Sequence, residues 1–192
     1  MGNDRIFGEN DDDLLFGNAG IDYIDGGNGN DLAFGGRDND AIFGGEGDDV
    51  LLGELGNDCL QGYAGSDILF GNTGNDTLWG DSGSDTLYGG QGNDWLNGGS
   101  ETDVLLGDRG DDTLTGSAGG DRFDFRRGDG SDIVTDFQDG IDIIGLKEGL
   151  IFEDLTIVQV GSDTQISVNE NILATLLGVN VNTISVEDFA LV

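Results

Sequence analysis

An all-β solenoid, built from nine-residue units taken two to a coil, is the fold class that the sequence predicts. Three observations point to it. Glycine, aspartate and a single aliphatic recur in strict phase, as in GGEGDDVLLGELGND at residues 44–58. There are 37 glycines and no proline, a glycine content that normally suggests disorder but that here keeps the same strict phase. The formal charge is −32, with no histidine, so the fold must hold many like charges close together.

Each part of that reading follows from a count. With position 1 set at Gly8, every ninth residue up to Gly116 is glycine, thirteen without exception. Position 6 is Asp13, Asp22, Asp31, Asp40, Asp49, Asp58, Asp67, Asp76, Asp85, Asp94, Asp103, Asp112 and Asp121. Position 8 is apolar throughout, from Leu15, Ile24, Ala33 and Ile42 to Leu114 and Phe123. A disordered acidic tract has no reason to keep this phase. Six residues of turn and three of strand make nine. One turn reverses the chain and the next returns it above its start, so repeat i stacks on repeat i+2. Side chains alternate along a strand, which sends position 8 inward and positions 7 and 9 outward. Position 4 is usually glycine, but Asp11, Asp38 and Glu101 break that rule. Glutamate tolerates a left-handed backbone poorly, so the loop around Glu101 is expected to be the most distorted.

The phrases GGNGNDLAF (26–34) and GGQGNDWLN (89–97) match the nonapeptide GGxGxDxUx, and the chain resembles the RTX family through it. The resemblance runs from residue 2 to about residue 124 and implies a calcium-bound parallel β-roll.

Physical chemistry leads to the same cation. A core two side chains thick cannot offset the ordering of so many residues at roughly 1–2 kcal/mol of backbone entropy each. Coils about 4.8 Å apart bring the position-6 carboxylates of repeats i and i+2 together, where they repel. A hard divalent cation would bridge them, with turn carbonyls completing an oxygen shell at about 2.3–2.6 Å. Magnesium demands a stricter octahedron, and zinc and copper favour histidine or cysteine. All thirteen position-6 aspartates are therefore expected to be metal ligands, for on the order of ten calcium ions. Eleven such ions would bring the charge of −32 to about −10.

The outer positions differ between alternate repeats. In one set position 9 reads Phe16, Phe34, Leu52, Phe70, Tyr88 and Leu106, with Leu14, Leu32, Val50 and Ile68 at position 7. The other set is mixed, with Asp25, Phe43, Gln61, Trp79, Asn97 and Thr115 at position 9. A contiguous apolar face usually marks a contact, so a homodimer or a domain contact is expected there. The alternative is plain β-propensity.

After Phe123 the phase breaks. Residues 155–160 (LTIVQV), 164–168 (TQISV) and 172–177 (ILATLL) read as strands, with GSD and NEN as their turns. The closing ISVEDFALV reads as one short helical turn before an apolar end. Two regions are expected: a repeat roll over 1–124 and a β-rich cap over 125–192 that closes the core and covers the edge. The second region also resembles the C-terminal portion of RTX proteins and serralysin-type proteases. The matching residues are Asp121, Phe123 and Phe125; Gly130, Asp132, Ile133, Asp136 and Phe137; Gly140 and Asp142; and Asp188 with Phe189. That resemblance implies an uncleaved signal for the type I secretion apparatus, and further calcium ligands among Asp132, Asp136 and Asp142.

Catalysis has little to stand on: there is no histidine, no HExxH and no P-loop, and no enzyme is expected. Cys59 faces outward without a basic neighbour, and Arg126–Arg127 reads as a solvated turn. The acidity argues against nucleic acid and anionic membranes, and no apolar stretch reaches membrane-spanning length. MGNDRIFGEN lacks a basic start followed by an apolar run, so no conventional secretory signal is expected. The expectation is a secreted, extracellular or cell-surface calcium-binding module that folds on the metal after export, as the C-terminal part of a longer protein. One alternative is a polysaccharide-binding accessory module like those of alginate epimerases, with Trp79, Trp95 or Tyr88 stacking on sugars. Another is an adhesion or surface-layer element.

Overall fold

The computed structural model describes residues 2–192. Strand β1 (Arg5–Asn10) is followed by β2 (Leu14–Ala19), β3 (Tyr23–Asn28) and β4 (Leu32–Arg37), and the same spacing continues to β13 (Thr113–Ala118). Each strand pairs in parallel with the strand two ahead, eighteen residues on, as in Leu15 opposite Ala33 and Ile24 opposite Ile42. The result is a parallel β-roll with two sheets, one of eleven strands and one of nine.

The strands are six residues long rather than the three expected. Positions 2 and 3 of the next repeat stay in register with the coil ahead, as Gly27 does with Gly45 and Asn28 with Glu46. Only the position-1 glycine drops out of the ladder, and there the chain bends. Parallel stacking of near-identical coils thus recruits half of what the count assigned to turn.

Position 8 forms the core. Ile24 and every position-8 residue from there to Phe123 are fully buried, and Leu15 is 8% exposed. Two facing rows fill the interior, which is as thin as expected. Position 2 adds strain: Glu9, Asn18, Glu54, Tyr63, Asn72, Asp81, Asp108 and Ser117 there all have φ between 64° and 74°. Left-handed backbone costs such residues roughly 1–2 kcal/mol each. Asp11, Asp38 and Glu101 at position 4 share φ values of 75–77°. Around Glu101 the ladder is altered but satisfied. The Gly65 and Gly74 amides donate to the Ser82 and Gln91 carbonyls, whereas the Gly83 amide donates to the Glu101 Oε2 at 2.8 Å.

Both sheets run on past the repeats. β14 (Arg122–Phe125) and β16 (Ile143–Leu146) extend the nine-stranded sheet, which β20 (Phe189–Leu191) ends. β15 (Asp132–Val134) extends the other sheet, followed by β19 (Asn171–Leu176), β18 (Asp163–Val168) and β17 (Leu155–Val160). These last three strands are antiparallel to one another and match the expected segments to within a residue at each end. The helical turn at the end is a 3-10 turn, Val186–Asp188, with a Ser185 cap. Here the core widens to include Phe125, Phe137, Leu146, Leu150 and Ile166. Arginine and lysine side chains balance the acids. Arg126 pairs with Asp108 and Asp129 at 2.7 Å each, and Arg127 with Asp154 at 2.6 Å, so these arginines are held in ion pairs and are not merely a solvated turn. Arg122 and Lys147 meet the buried Asp124 at 2.7 and 3.2 Å.

On the nine-stranded sheet the outer rings stack along the axis, Phe16 on Phe34 at 5.0 Å and Phe70 on Tyr88 at 4.8 Å. Leu14 and Phe16 stay half exposed or more, and Leu106 is buried. Among the described residues no helix is long and apolar enough to cross a membrane.

In so thin a core one side chain counts heavily. Leu69→Ala is expected to destabilise the folded protein by about 2–5 kcal/mol in denaturant titrations. Thr77→Ala on the outer surface should stay within about 0.5 kcal/mol. Equal effects from the two would contradict the inward assignment of position 8.

Candidate metal centre

The thirteen position-6 aspartates stand in two rows, one along each edge of the roll where the chain turns. All from Asp22 to Asp121 are buried. Burial follows from the sequence: the position-8 residue two places on is locked inside, and small residues surround each turn.

Each carboxylate uses its two oxygens differently. From Asp22 on, Oδ1 accepts the backbone N–H of the aspartate one coil behind. Along one edge the N–H of Asp40 donates to Asp58, that of Asp58 to Asp76 and that of Asp76 to Asp94, at 2.7–2.8 Å. Along the other, Asp49 donates to Asp67 and Asp67 to Asp85, both at 2.8 Å. Oδ2 of all thirteen, from Asp13 to Asp121, is buried and has no hydrogen-bond partner. A buried, unpaired carboxylate oxygen is costly in a folded protein. This arrangement refines the expected bridge between paired acids, because each acid from Asp22 on spends one oxygen on the backbone and has one free.

The free oxygen lies beside the position-1 glycine. A Cβ added at Gly71 would stand 2.5 Å from the Asp76 Oδ2 and 2.6 Å from the carbonyl oxygen of Gly89 in the coil ahead. At Gly17 it would stand 2.6 Å from the Asp22 Oδ2 and 2.5 Å from the Gly35 carbonyl. Glycine therefore keeps open a niche walled by one carboxylate oxygen and one carbonyl oxygen, and any larger residue would fill it. The donors are all oxygen, which suits a hard cation such as calcium. Among the described residues no three acidic, histidine or cysteine side chains converge.

Electrostatics reports the same tension. Burial pushes the carboxyls of Asp40, Asp49, Asp58, Asp76, Asp85 and Asp112 up to about 6. It pushes Asp67, Asp94 and Asp103 up to about 7. The backbone N–H on Oδ1 opposes the rise in each case. Neighbouring carboxylates add to it, as Asp85 does for Asp67.

The rows continue beyond the regular repeats. Asp112 donates its N–H to Asp132 and Asp121 to Asp142, both at 3.0 Å, although the intervals have grown to 20 and 21 residues. Burial pushes Asp132 up to about 8. Asp142 differs, because its second oxygen accepts the Gln138 N–H at 2.7 Å. Asp136 has both oxygens occupied, by the amides of Gly116 and Ser117. Of the three acids that the resemblance singled out, Asp132 is most like the repeat aspartates. Sequence reasoning missed a further row at position 5, where Asn57 Oδ1 accepts the Asn75 N–H at 2.8 Å. Its signal was the asparagine recurring every eighteen residues at 39, 57, 75 and 93. Cys59 lies half-buried, and burial first, then the Asp58 charge, pushes its thiol up, away from reactivity.

Comparisons with known proteins follow this geometry. Among solved structures, the extracellular lipase LipA of Serratia marcescens is 20% identical with a TM-score of 0.41, over 84% of this chain and 40% of that one. A subunit of the Azotobacter vinelandii mannuronan C5-epimerase is 22% identical with a TM-score of 0.36, over 80% of this chain and 78% of that one. The chain thus spans well under half the length of the lipase. No curated protein matches the sequence significantly. The family model for the RTX calcium-binding nonapeptide repeat matches in four copies, over residues 2–24, 25–60, 61–96 and 97–134. With two-thirds of its length so matched, the chain belongs to the RTX calcium-binding nonapeptide repeat family.

Proposed function

We propose that the position-6 aspartates from Asp13 to Asp121 hold calcium through Oδ2, with turn carbonyls such as those of Gly35 and Gly89 as co-ligands. The observation that carries this reading is the register of thirteen buried Oδ2 atoms without a partner, each beside a niche that glycine keeps open. Bound calcium supplies the positive charge that these oxygens lack. On the order of ten ions are taken up, and binding is coupled to folding turn by turn, because a thin core and strained turns leave the metal-free roll unstable. In a compartment poor in calcium the chain stays extended, which suits export through the type I secretion apparatus. In calcium-rich surroundings outside the cell it folds. The chain acts as a non-catalytic module of a larger secreted protein.

Circular dichroism tests the coupling. Strand signal should appear cooperatively as calcium reaches about 10⁻⁴–10⁻³ M and vanish on chelation. Equal structure at saturating chelator would end the proposal. Asp76→Asn separates the two oxygens: the amide keeps Oδ1 for the Asp58 N–H but turns an N–H₂ into the niche. Isothermal titration should then show fewer ions bound and a raised folding midpoint. Unchanged stoichiometry would remove Asp76 as a ligand.

Acidity works in opposite directions with and without metal. The folded pKa of Asp67 is near 7 against an ordinary 3.8, so the folded state binds protons more tightly than the unfolded one. The stability contributed by such protons is fully present below the unfolded pKa and is lost as pH rises through about 6–7. In chelator, strand content should therefore rise as pH falls from about 8 to about 5. In calcium, the folding midpoint should move to higher calcium over the same range, because protons compete for Oδ2.

The apolar outer face of the nine-stranded sheet is assigned to contact with a second copy or a further domain, with Phe16, Phe34, Leu52, Phe70, Tyr88 and Leu106 along it. Sedimentation at saturating calcium should show a dimer, with the apolar face closed to dye. A monomer whose apolar face stays open to dye would remove that assignment.

A further inference from the structure

A second row of side chains runs beside the aspartates, one residue earlier in each turn. On the edge formed by turns 35–40, 53–58, 71–76, 89–94 and 107–112, it is unbroken from Asn39 on, after an interruption at Ile21. Asn39 Oδ1 accepts the Asn57 N–H at 2.9 Å and Asn57 accepts that of Asn75 at 2.8 Å. Asn75 accepts the Asn93 N–H at 2.9 Å, Asn93 that of Asp111 at 3.1 Å, and Asp111 that of Ser131 at 2.9 Å, inside the cap. This row points the other way from the aspartates. Position-6 Oδ1 accepts from the coil behind, position-5 Oδ1 from the coil ahead.

The row also braces carbonyls. A peptide group is planar and trans, so fixing the position-5 N–H toward the coil behind sends the position-4 carbonyl toward the coil ahead. Position-4 carbonyls face the coil ahead with or without the row: a Cβ added at Gly74 would collide with the Gly56 carbonyl, and one added at Gly119 with that of Glu101, so the row braces this direction and does not create it. Those carbonyls belong to the same turns that carry the free Oδ2 atoms.

The opposite edge keeps the row only in its first half. Asp12 accepts from Asn30 at 2.9 Å, Asn30 from Asp48 at 3.0 Å and Asp48 from Ser66 at 2.8 Å. Beyond that, position 5 is Ser66, Ser84, Thr102 and Gly120, whose side chains are too short or absent. The amides of Ser84, Thr102 and Gly120 have no side chain of the coil behind to meet. Glu101, with its altered ladder, falls in the same stretch.

We propose that the position-5 Asn and Asp side chains are positioning residues for the calcium-binding turns, and that the roll carries two classes of site. Turns 80–85, 98–103 and 116–121, which lack the row, bind calcium about fivefold more weakly than turns 71–76, 89–94 and 107–112, which have it. This inference rests on the proposed role of the position-6 Oδ2 atoms.

Hydrogen exchange of the full chain across a calcium titration tests it. Amides of the row-less turns should become protected at about fivefold higher calcium than those of the opposite edge. Asn75→Leu should raise the calcium midpoint of turn 89–94 by a similar factor. Asn75→Asp, which keeps Oδ1, should stay within about twofold of the parent. Ser66→Asn with Ser84→Asn should extend the row and draw the two edges together, and this variant decides the matter if Asn75→Leu does not fold. A single midpoint for both edges, or equal shifts from Asn75→Leu and Asn75→Asp, would overturn the two-class proposal while leaving calcium-dependent folding intact. Protection independent of calcium would instead overturn the reading beneath it.

Discussion

One buried carboxylate, repeated along both edges, governs this molecule. Its Oδ1 is bound to the backbone of the neighbouring coil and its Oδ2 is bound to nothing in the protein. The first oxygen makes stacking specific, since a coil slipped by one residue would lose every such bond. The second makes stacking expensive, since a charge is carried into a dry turn without compensation. Neither oxygen can be treated alone, because the same side chain both ties the coils and loads them with charge.

The roll and the cap answer that charge in different ways. In the repeats the acids face carbonyls and other acids, and the interior offers only two rows of aliphatic side chains. Near the C-terminus the core broadens to a cluster of aromatic and aliphatic residues, and Asp124, Asp108, Asp129 and Asp154 each meet an arginine or lysine. Asp136 and Asp142 are neutralised differently again, through backbone N–H groups that occupy both oxygens. The cap therefore resembles an ordinary small β structure joined to an extraordinary one. The two share continuous sheets, with Val104 paired to Arg122 and Thr113 to Ile133.

Much of this was legible in the sequence because its contacts recur at one separation. Eighteen residues separate nearly every stacked pair, so phase alone located the core at position 8, the acid rows at position 6 and the two outer faces. What phase could not show was direction. Whether Asp76 reaches ahead or behind, and which of its oxygens is spent, depends on turn geometry that a one-dimensional pattern does not carry. The strands came out twice as long as counted because positions 2 and 3 pair only once a neighbouring coil exists. Asp132 and Asp142 stay in the rows after the interval lengthens, since loops absorb the extra residues while the ladder keeps its rise. Arg126 and Arg127 find partners 18 and 27 residues away, a pairing that no local pattern announces.

The placement of the basic residues has a consequence for the molecule as a whole. Five of the seven arginines and lysines lie between residues 109 and 147, where the roll meets its cap. Charge is thus graded along the long axis, and the protein carries a permanent electric moment directed along its own solenoid. Without metal the repeat end would turn toward the positive side of an external field; calcium held in the repeats would offset their acids and swing the orientation toward the C-terminal end.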